Sequence, residues 1–486
     1  MPAETPSSSA PDVATLGRLK EHGHRVRTVK QELRENLIAR LKDGGPVFPG
    51  VRGYDDTVVP QVVHAIFSRH DMLFLGLRGQ AKTRMIRQLP KLLDAWCPVV
   101  AGTDVPDDPI QPMTGAARRI VAERGDETPI RWMHRSERYS EKLATPDVTI
   151  ADLIGEIDIV KYAQGRELSD ESTMHFGLIP RSNRGIFAVN ELPDLSPRIQ
   201  VGLFNVLEER DVQIRGYPVR LNLDVCLVFS ANPEDYTNRG RIVTPLKDRI
   251  GSVVRTHYPR GIDEAARITA ENAWISRRDE PGAESLTAGV PAIDVPEYLR
   301  RTLEVTIAQA RGSSHINQAS GVSVRTSIAC LETLVSSAER RGILTGEQRV
   351  VPRVCDLMHL TTATRGKIEL MMSDDGDATE DKLVESLLGE AVKSVFDTVA
   401  EVDEFENVAE AFESGLKLSV GDEVSAAEQI ASMKHVDGLL PAAVDMAERL
   451  GMDPEDDQAI ASAGEFVLEA LYVHKRLSKA GNKYTR

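Results

Sequence analysis

The sequence predicts an α/β fold, a doubly wound parallel sheet followed by helical regions. Three short apolar stretches alternate with amphipathic helical segments between about residues 46 and 257. The candidate strands are Met72–Leu75, residues 185–192 ("GIFAVNEL") and residues 224–232 ("DVCLVFSAN"). Their nearly continuous apolar character indicates burial on both faces, as in a parallel sheet that is covered by helices on each side.

Composition narrows the class of protein. A chain of 486 residues with 41% hydrophobic and 27% charged residues predicts several soluble domains. No apolar run approaches the roughly 20 residues that span a bilayer. The net charge of −15 argues against nonspecific nucleic-acid binding. Four widely spaced cysteines and the lack of a signal-like start predict a cytoplasmic location and buried thiols. These cysteines are Cys97, Cys226, Cys330 and Cys355.

Shifts in composition divide the chain into four predicted regions. Residues 1–45 are expected to form a disordered lead and one charged helix over residues 18–42. Residues 46–257 form the α/β core with insertions, and residues 258–372 read as helical. Residues 373–486 are helical and acidic apart from a short basic tail. We expect this last region to be a docking extension outside the core.

The stretch "GLRGQAKT" follows the first strand and precedes helical spacing, which predicts a phosphate-binding loop. Such a loop directs backbone N–H groups at phosphate, beside the positive end of the following helix. Lys82 would reach the β- and γ-phosphates, and the Thr83 hydroxyl would bind Mg²⁺. Ala81 stands where a glycine is usual, and it can adopt negative φ if the loop does not require glycine at that position. An ordinary strand–turn–helix with an exposed lysine is the alternative. The predicted loop comprises Gly76, Leu77, Arg78, Gly79, Gln80, Ala81, Lys82 and Thr83.

Polar residues follow the other two candidate strands. Asn190 and Glu191 end the second strand, where phosphoryl-transfer sites hold a metal-side acid and a residue that orients water. Asn190 offers Mg²⁺ a neutral oxygen, so weaker metal binding is expected. Asn232 ends the third strand and could bond the attacking water or the γ-phosphate. For Asn190 and Glu191 the alternative is a buried strand that ends in solvated polar residues. For Asn232 it is an ordinary Asn-Pro turn.

With these three strands in order, the chain resembles the AAA+ ATPases, specifically the magnesium-chelatase I-subunit and MoxR branch. The likeness is clearest over residues 46–260 and weaker to about residue 370. MoxR proteins also have alanine before the loop lysine. The segments "LIGEIDIVKYAQGRELS" and "FGLIPRSNRGIFAVNEL" resemble an inserted helix–hairpin region and the second Walker motif. "LPDLSPRIQVGLFNVLEERDVQIRGYPVRLNLDVCLVFSANPED" resembles the next helix, a β-hairpin and the sensor 1 strand; "TPLKDRIG" resembles the arginine-finger segment and "GVSVRTS" sensor 2.

The resemblance implies a role for each residue. Lys82 and Thr83 would bind phosphate and Mg²⁺, Glu191 would position water, and Asn232 would be sensor 1. Arg249 would be a finger that reaches a neighbouring subunit's γ-phosphate, and Arg325 would be sensor 2 on a helical lid. Guanidinium groups suit these roles because they match the charged γ-oxygens bidentately.

The resemblance also implies a function. We expect a Mg²⁺-dependent ATPase that forms a homo-oligomeric ring, a hexamer, and acts with a von Willebrand A-type partner. It would remodel that partner or insert a metal or cofactor. A genuine magnesium-chelatase subunit acting on porphyrin is one alternative. The other is an ATP-sensing scaffold with little turnover, which Asn190 favours.

The long interval between Lys82 and Glu191 leaves room for an insertion within residues 100–182. It includes a basic segment, residues 114–142, in an otherwise acidic protein. This segment is either a solvated face or a contact to a subunit or partner.

Overall fold

The computed structural model divides the chain into two compact units, Met1–His257 and Tyr258–Arg486. Their boundary coincides with the end of the α/β core expected from the sequence. The structure describes residues 9–157, 174–208, 221–233, 241–277, 290–317, 322–368, 370, 380–421 and 423–486. Much of the hairpin expected before sensor 1, and part of the inserted segment, therefore lie outside the described residues.

The described part of the first unit contains nine strands and ten α-helices. The strands are β1 (Met72–Leu75), β2 (Trp96–Val100), β3 (Ile130–His134), β4 (Tyr139–Leu143), β5 (Gly155–Ile157), β6 (Met174–Phe176), β7 (Gly185–Asn190), β8 (Val225–Ala231) and β9 (Ser252–Arg255). The helices are α1 (Leu16–Glu21), α2 (Val29–Lys42), α3 (Val58–Phe67), α4 (Lys82–Ile86), α5 (Gly115–Arg124), α6 (Ile150–Leu153), α7 (Leu178–Arg181), α8 (Pro197–Gly202), α9 (Phe204–Glu208) and α10 (Thr244–Arg249).

Five of these strands form a parallel sheet in the order β4-β7-β8-β1-β9. The two remaining pairs, β2 with β3 and β5 with β6, are antiparallel. Strands β3, β5 and β6 lie within the predicted insertion, whereas β2 precedes it. The three predicted strands are β1, β7 and β8, within one or two residues of their expected ends. The α/β class and the parallel sheet are therefore confirmed.

The sheet is buried on both faces, as the apolar strands predicted. Met72 and Phe74 of β1 pack into one cluster with Leu33 of α2 and Met85 of α4. Leu73, between them, points into a second cluster on the opposite face. Alternate residues of one strand thus feed two cores, which is the doubly wound arrangement.

The two edge strands, β4 and β9, were not predicted. Each mixes polar and apolar residues, and most of their side chains are partly or fully exposed. Neither strand contains the apolar run that marks a strand buried on both faces. Edge strands of this kind are recognised from their pairing rather than from composition.

The N-terminal segment differs from its prediction. Instead of one charged helix over residues 18–42, the structure has α1 and α2, separated where Gly23 adopts φ +74°. Thr28 then starts α2 with a capping box. Residues 1–8 lie outside the described residues, and the expected lead is packed at its end. Leu16 is buried, and its N–H donates to Thr128 O at 2.9 Å.

The described part of the second unit is mainly helical. Its helices are α11 (Ile262–Asn272), α12 (Glu297–Gly312), α13 (Val324–Thr345), α14 (Val354–Leu357), α15 (Thr361–Thr364), α16 (Glu380–Phe396), α17 (Glu406–Ala411), α18 (Ala426–Met433), α19 (Leu439–Arg449) and α20 (Asp457–Val473). Its short strands are β10 (Ala292–Ile293), β11 (Arg349–Val350), β12 (Leu418–Ser419), β13 (Ser478–Ala480) and β14 (Lys483–Thr485). Throughout the described ranges, no helix is both long enough and apolar enough to cross a membrane.

One hydrophobic core runs through the second unit. It contains Leu299 and Leu334 from the expected lid together with Leu388 and Phe466 from the expected extension. The structure therefore differs from the sequence interpretation, which separated these regions. The acidic composition indicated a solvated extension, but apolar residues at helical spacing lie between the acidic ones and are buried. The basic tail also forms a hairpin, β13–β14, instead of continuing the helical pattern.

All four cysteines are free thiols. Cys97, Cys226 and Cys330 are buried, as predicted, whereas Cys355 is partly exposed by surface area. Burial raises the pKa of the Cys330 thiol to about 12. Such a thiol is protonated at neutral pH and unreactive, which fits a packing role.

Candidate functional site

The carboxyl edge of the parallel sheet brings the predicted polar residues together. The chain leaves β1 at Gly76, β7 at Glu191, β8 at Asn232 and β9 at Thr256. Because parallel strands all end at the same edge, these four residues lie along one border of the sheet. Helix α4 begins at Lys82, after a six-residue turn from β1.

The backbone of the predicted phosphate loop corrects one expectation. Ala81 has φ +52° and ψ +14°, in the left-handed region, and not the negative φ that alanine could take if the loop did not require glycine there. Gly79, two residues earlier, has φ +76°. The chain must reverse here so that α4 can start directly at Lys82, and the reversal places Ala81 in a conformation that favours glycine. A left-handed non-glycine residue costs about 1–2 kcal/mol.

Contacts beneath the loop hold this turn in place. Thr256 Oγ1 donates to Gln80 Oε1 at 2.8 Å, and Gln80 is buried. A Cβ atom on Gly76 would overlap both of these side-chain oxygens, so glycine is required there for space. The Tyr54 hydroxyl lies 3.0 Å from Gln80 O and 2.7 Å from His257 O. The loop is thus fixed to β9 and to the segment before α3.

Three predicted site residues form one hydrogen-bonded chain. The buried Lys82 ammonium donates to Asn232 Oδ1 at 2.8 Å and to Leu77 O at 3.0 Å, and it also contacts Gly76 O. Asn232 Nδ2 in turn donates to Glu191 Oε2 at 2.8 Å. Asn232 therefore connects the loop lysine with the candidate water-orienting carboxylate.

Asn190 lies in a second set of contacts that continues from the first. Ser230 Oγ donates to Asn190 Oδ1 at 3.2 Å and accepts from the Glu191 N–H at 3.2 Å. Asn190 also helps to lower the pKa of the Glu141 carboxyl on the neighbouring strand β4. Arg87, the residue after α4, donates its Nε to Glu141 Oε2 at 3.0 Å. The polar border thus extends from Lys82 to the outermost strand.

Glu141 is the residue of this border that sequence reasoning missed, together with Arg87 and Ser230. Its hydrogen bond from Arg87 holds the pKa of the Glu141 carboxyl below its usual range. The Tyr139 hydroxyl also donates to Glu141 at 2.7 Å, and burial raises the pKa of that phenol. The sequence around Glu141 shows only a glutamate in a short strand of mixed polar and apolar residues. That pattern is too common to identify a functional residue.

Neither predicted arginine is described in contact with the phosphate loop. Arg249 Nε donates to Glu208 Oε2 at 2.6 Å, and its guanidinium carbon is 4.9 Å from the Phe204 ring centroid. Its NH1 donates to Pro245 O at 2.9 Å. Arg325 is exposed near the start of α13 in the second unit. The contacts described for Arg249 do not include the phosphate loop.

The donor atoms at this border suit a hard cation bound together with nucleotide. Across the described ranges, no three His, Cys, Asp or Glu side chains group to hold a metal alone. Mg²⁺ at nucleotide sites needs fewer protein ligands, because it keeps waters and binds substrate phosphates. Thr83 and Asn190 carry neutral oxygens, and Glu191 carries a charged one. These residues fit Mg²⁺ by donor chemistry.

Comparisons with known proteins give distant similarities. No protein-family model matches the chain. The hydrogenase transcriptional regulatory protein HoxA from Cupriavidus necator is 27% identical over 182 residues, 36% of this chain and 36% of HoxA. The chain thus matches about a third of the length of this curated relative.

The similar solved structures have low TM-scores and low sequence identities. NtrX from Brucella abortus in complex with ADP is 13% identical, with a TM-score of 0.34 and coverage of 90% of this chain and 69% of NtrX. A chain from the complex between subunits BchI and BchD of magnesium chelatase is 19% identical, with a TM-score of 0.34 and coverage of 70% and 98%. The fold class therefore rests on the strand order and packing described above.

Proposed function

We propose that this protein is an ATPase of the AAA+ class that binds ATP with Mg²⁺ at the carboxyl edge of its sheet. The observation that carries the proposal is the chain Lys82–Asn232–Glu191. It joins a loop lysine at the start of a helix to a carboxylate two strands away. Sites that hydrolyse nucleoside triphosphates need this combination of a phosphate-directed cation and a residue that orients water.

The side chains suggest how the site would work. Lys82 now donates to neutral oxygens, and phosphate oxygens would compete for it because charged acceptors bind an ammonium more strongly. Asn232 contacts both Lys82 and Glu191, so a change at the phosphates would be passed to the carboxylate. Glu191 would hold the attacking water. When bound, Mg²⁺ would neutralise developing charge on the phosphates, with Thr83 and Asn190 as its candidate oxygen donors.

The finer assignment rests on the sequence resemblance. We propose a chelatase-like or MoxR-like remodelling ATPase of the cytoplasm that forms a hexameric ring with a von Willebrand A-type partner. Arg249 would act as the finger between subunits and Arg325 as sensor 2. The closest alternative is a genuine magnesium-chelatase subunit in porphyrin metallation, and purified partner and porphyrin assays would separate the two.

An ATP-sensing scaffold is the second candidate function. Asn190 favours it, because an amide stands where a metal-side acid is expected. Phosphate release by the purified protein with Mg²⁺ distinguishes the candidates. Turnover that depends on Glu191 supports the ATPase, whereas tight binding without phosphate release supports the scaffold.

Lys82→Ala tests nucleotide binding directly. Loss of a charge-assisted hydrogen bond worth about 1.5–3 kcal/mol weakens binding roughly 10- to 150-fold. The measurement is the Kd of a fluorescent ATP analogue, with the exposed Lys42→Ala at the end of α2 as control. An affinity within threefold of wild type for Lys82→Ala would show that this loop does not bind the phosphates.

A further inference from the structure

The carboxylate of Glu141 lies beside the amide of Asn190, on the neighbouring strand. In the parallel pair β4–β7, Leu143 is aligned with Asn190 and Glu141 with Ala188. Glu141 is therefore two residues before the position level with Asn190, so its side chain and that of Asn190 leave the same face of the sheet.

That face is the one on which the loop helix packs. Ala188 of β7 belongs to the same hydrophobic cluster as Met85 and Ile86 of α4. Arg87 follows these residues directly and donates to Glu141 through Nε, while its backbone N–H donates to Thr83 O at 3.0 Å. Arg87, which binds Glu141, thus lies one helical turn after Thr83, the residue predicted to bind the cation.

The charges along this border explain what Glu141 could supply. Asn190 carries no charge, and Glu191 is engaged by Asn232. The Glu141 carboxylate forms an ion pair with Arg87 and accepts from the Tyr139 hydroxyl at 2.7 Å. Its side chain is 27% exposed, so it is neither a buried structural acid nor a fully solvated one.

We propose that Glu141 supplies, from β4, the carboxylate charge that Asn190 lacks for a divalent cation bound with nucleotide near Thr83. Asn190 remains a neutral oxygen donor on the neighbouring strand β7, where its Oδ1 accepts from Ser230 Oγ at 3.2 Å. Glu141 acts on the cation through its field and the cation's water shell. The inference rests on the proposed function, since it concerns the same nucleotide site.

A purely structural role would be different. Glu141 could serve only to anchor Arg87 at the end of α4, and its replacement would then disturb the loop through the lost ion pair. Arg87→Gln breaks the same pair and leaves the carboxylate in place. The two variants therefore separate loss of charge at Glu141 from loss of the anchor.

The test measures binding of Mn²⁺, as a paramagnetic substitute for Mg²⁺, to the full-length protein with ADP by electron paramagnetic resonance. Outer-shell changes typically weaken metal binding 10- to 100-fold, so Glu141→Gln should weaken it about tenfold or more. Arg87→Gln should bind Mn²⁺ at least as tightly as wild type. The double variant Asn190→Asp with Glu141→Gln, which moves the carboxylate to β7, should recover affinity to within about threefold.

The outcomes distinguish the two levels of the proposal. Equal weakening in Glu141→Gln and Arg87→Gln, or unchanged Mn²⁺ affinity in Glu141→Gln, overturns the role of Glu141. If the double variant still binds ADP in EDTA but does not recover its Mn²⁺ affinity, a carboxylate on β7 does not replace the one on β4, and the proposal fails. If wild type binds no ADP at all, the proposed function fails, and a fluorescent ADP analogue in EDTA detects this independently.

Discussion

Ala81 and Glu191 are non-glycine residues with positive φ, at +52° and +56°, and both lie in the candidate site. Each stands at a junction: Ala81 directly before α4, and Glu191 directly after β7. Backbone strain of this kind persists where surrounding contacts hold it, and it concentrates at functional sites. Here Gln80, Thr256 and Asn232 supply those contacts. The strain is consistent with a loop shaped for a ligand.

Ala81→Gly tests the left-handed conformation at the residue scale. Glycine relieves about 1–2 kcal/mol of strain, but it also makes the unfolded chain more flexible by roughly 0.5–1 kcal/mol. We therefore expect a melting temperature equal to wild type or a few degrees higher. Gly79→Ala, at φ +76°, is the matched control and should lower it. Marked destabilisation by Ala81→Gly would contradict the backbone conformation.

At the scale of single elements, buried ion pairs hold helix α2 against the amino edge of the sheet. Arg138 donates NH1 and NH2 to the two Glu32 oxygens at 2.7 and 2.6 Å, and both side chains are almost fully buried. Arg138 Nε also donates to Arg184 O at 2.7 Å. Arg184 pairs in turn with Asp224, which precedes β8. These bonds fix α2 to three strand beginnings, opposite the candidate site.

Glu32→Gln is expected to destabilise the first unit strongly. Removing one partner leaves the Arg138 charge buried and uncompensated, which costs about 3–5 kcal/mol. The control is Glu35→Gln on the same helix, whose exposed pair with Arg27 is worth about 1 kcal/mol or less. Urea unfolding followed by circular dichroism gives both values. Equal stabilities for the two variants would show that the buried pair does not anchor α2.

Two compact units make up the whole molecule. The first unit holds the loop, the sheet and Arg249, whereas Arg325 and the acidic helices belong to the second unit. The acidic helices are therefore integral to their unit, since Leu388 and Phe466 pack with residues of the expected lid. Buried Glu469 illustrates the same point, because Lys479 of the terminal hairpin bonds it at 2.6 Å.

The proposed ring gives a prediction at the scale of the assembly. Arg249→Ala should leave nucleotide affinity near wild type and reduce turnover on the order of 10³-fold, the size of known arginine-finger effects. Lys82→Ala should also be inactive. Mixed rings of the two variants contain interfaces where an intact loop meets an intact Arg249, so part of the activity should return. Phosphate release from the mixture measures this recovery.

Size-exclusion chromatography with labelled subunits verifies that the two variants mix. Absence of recovery in verified mixed assemblies would contradict the role of Arg249 between subunits. Arg249 would then be a local cation, held by Glu208 and the Phe204 ring as the first unit shows.

Local patterns in the sequence were enough to predict the three central strands of the sheet. The strands β1, β7 and β8 are buried on both faces, so every residue carries the signal. The loop before α4 has a fixed spacing between Gly76 and Lys82. Because parallel strands end at one edge, Glu191 and Asn232 could be placed together before any contact was known.

Tertiary structure decided what depends on pairs distant in the chain. Glu141 meets Arg87 across 54 positions, and only the register of β4 against β7 brings it to Asn190. The edge strands carry too few apolar residues to predict their own pairing. The conformation of Ala81 depends on the residues that pack under the loop. The acidic helices belong to the core of the second unit because their partners lie more than 100 residues away, as Tyr298 does from Ser462. A sequence pattern records burial at each position, but it does not record which buried surfaces meet.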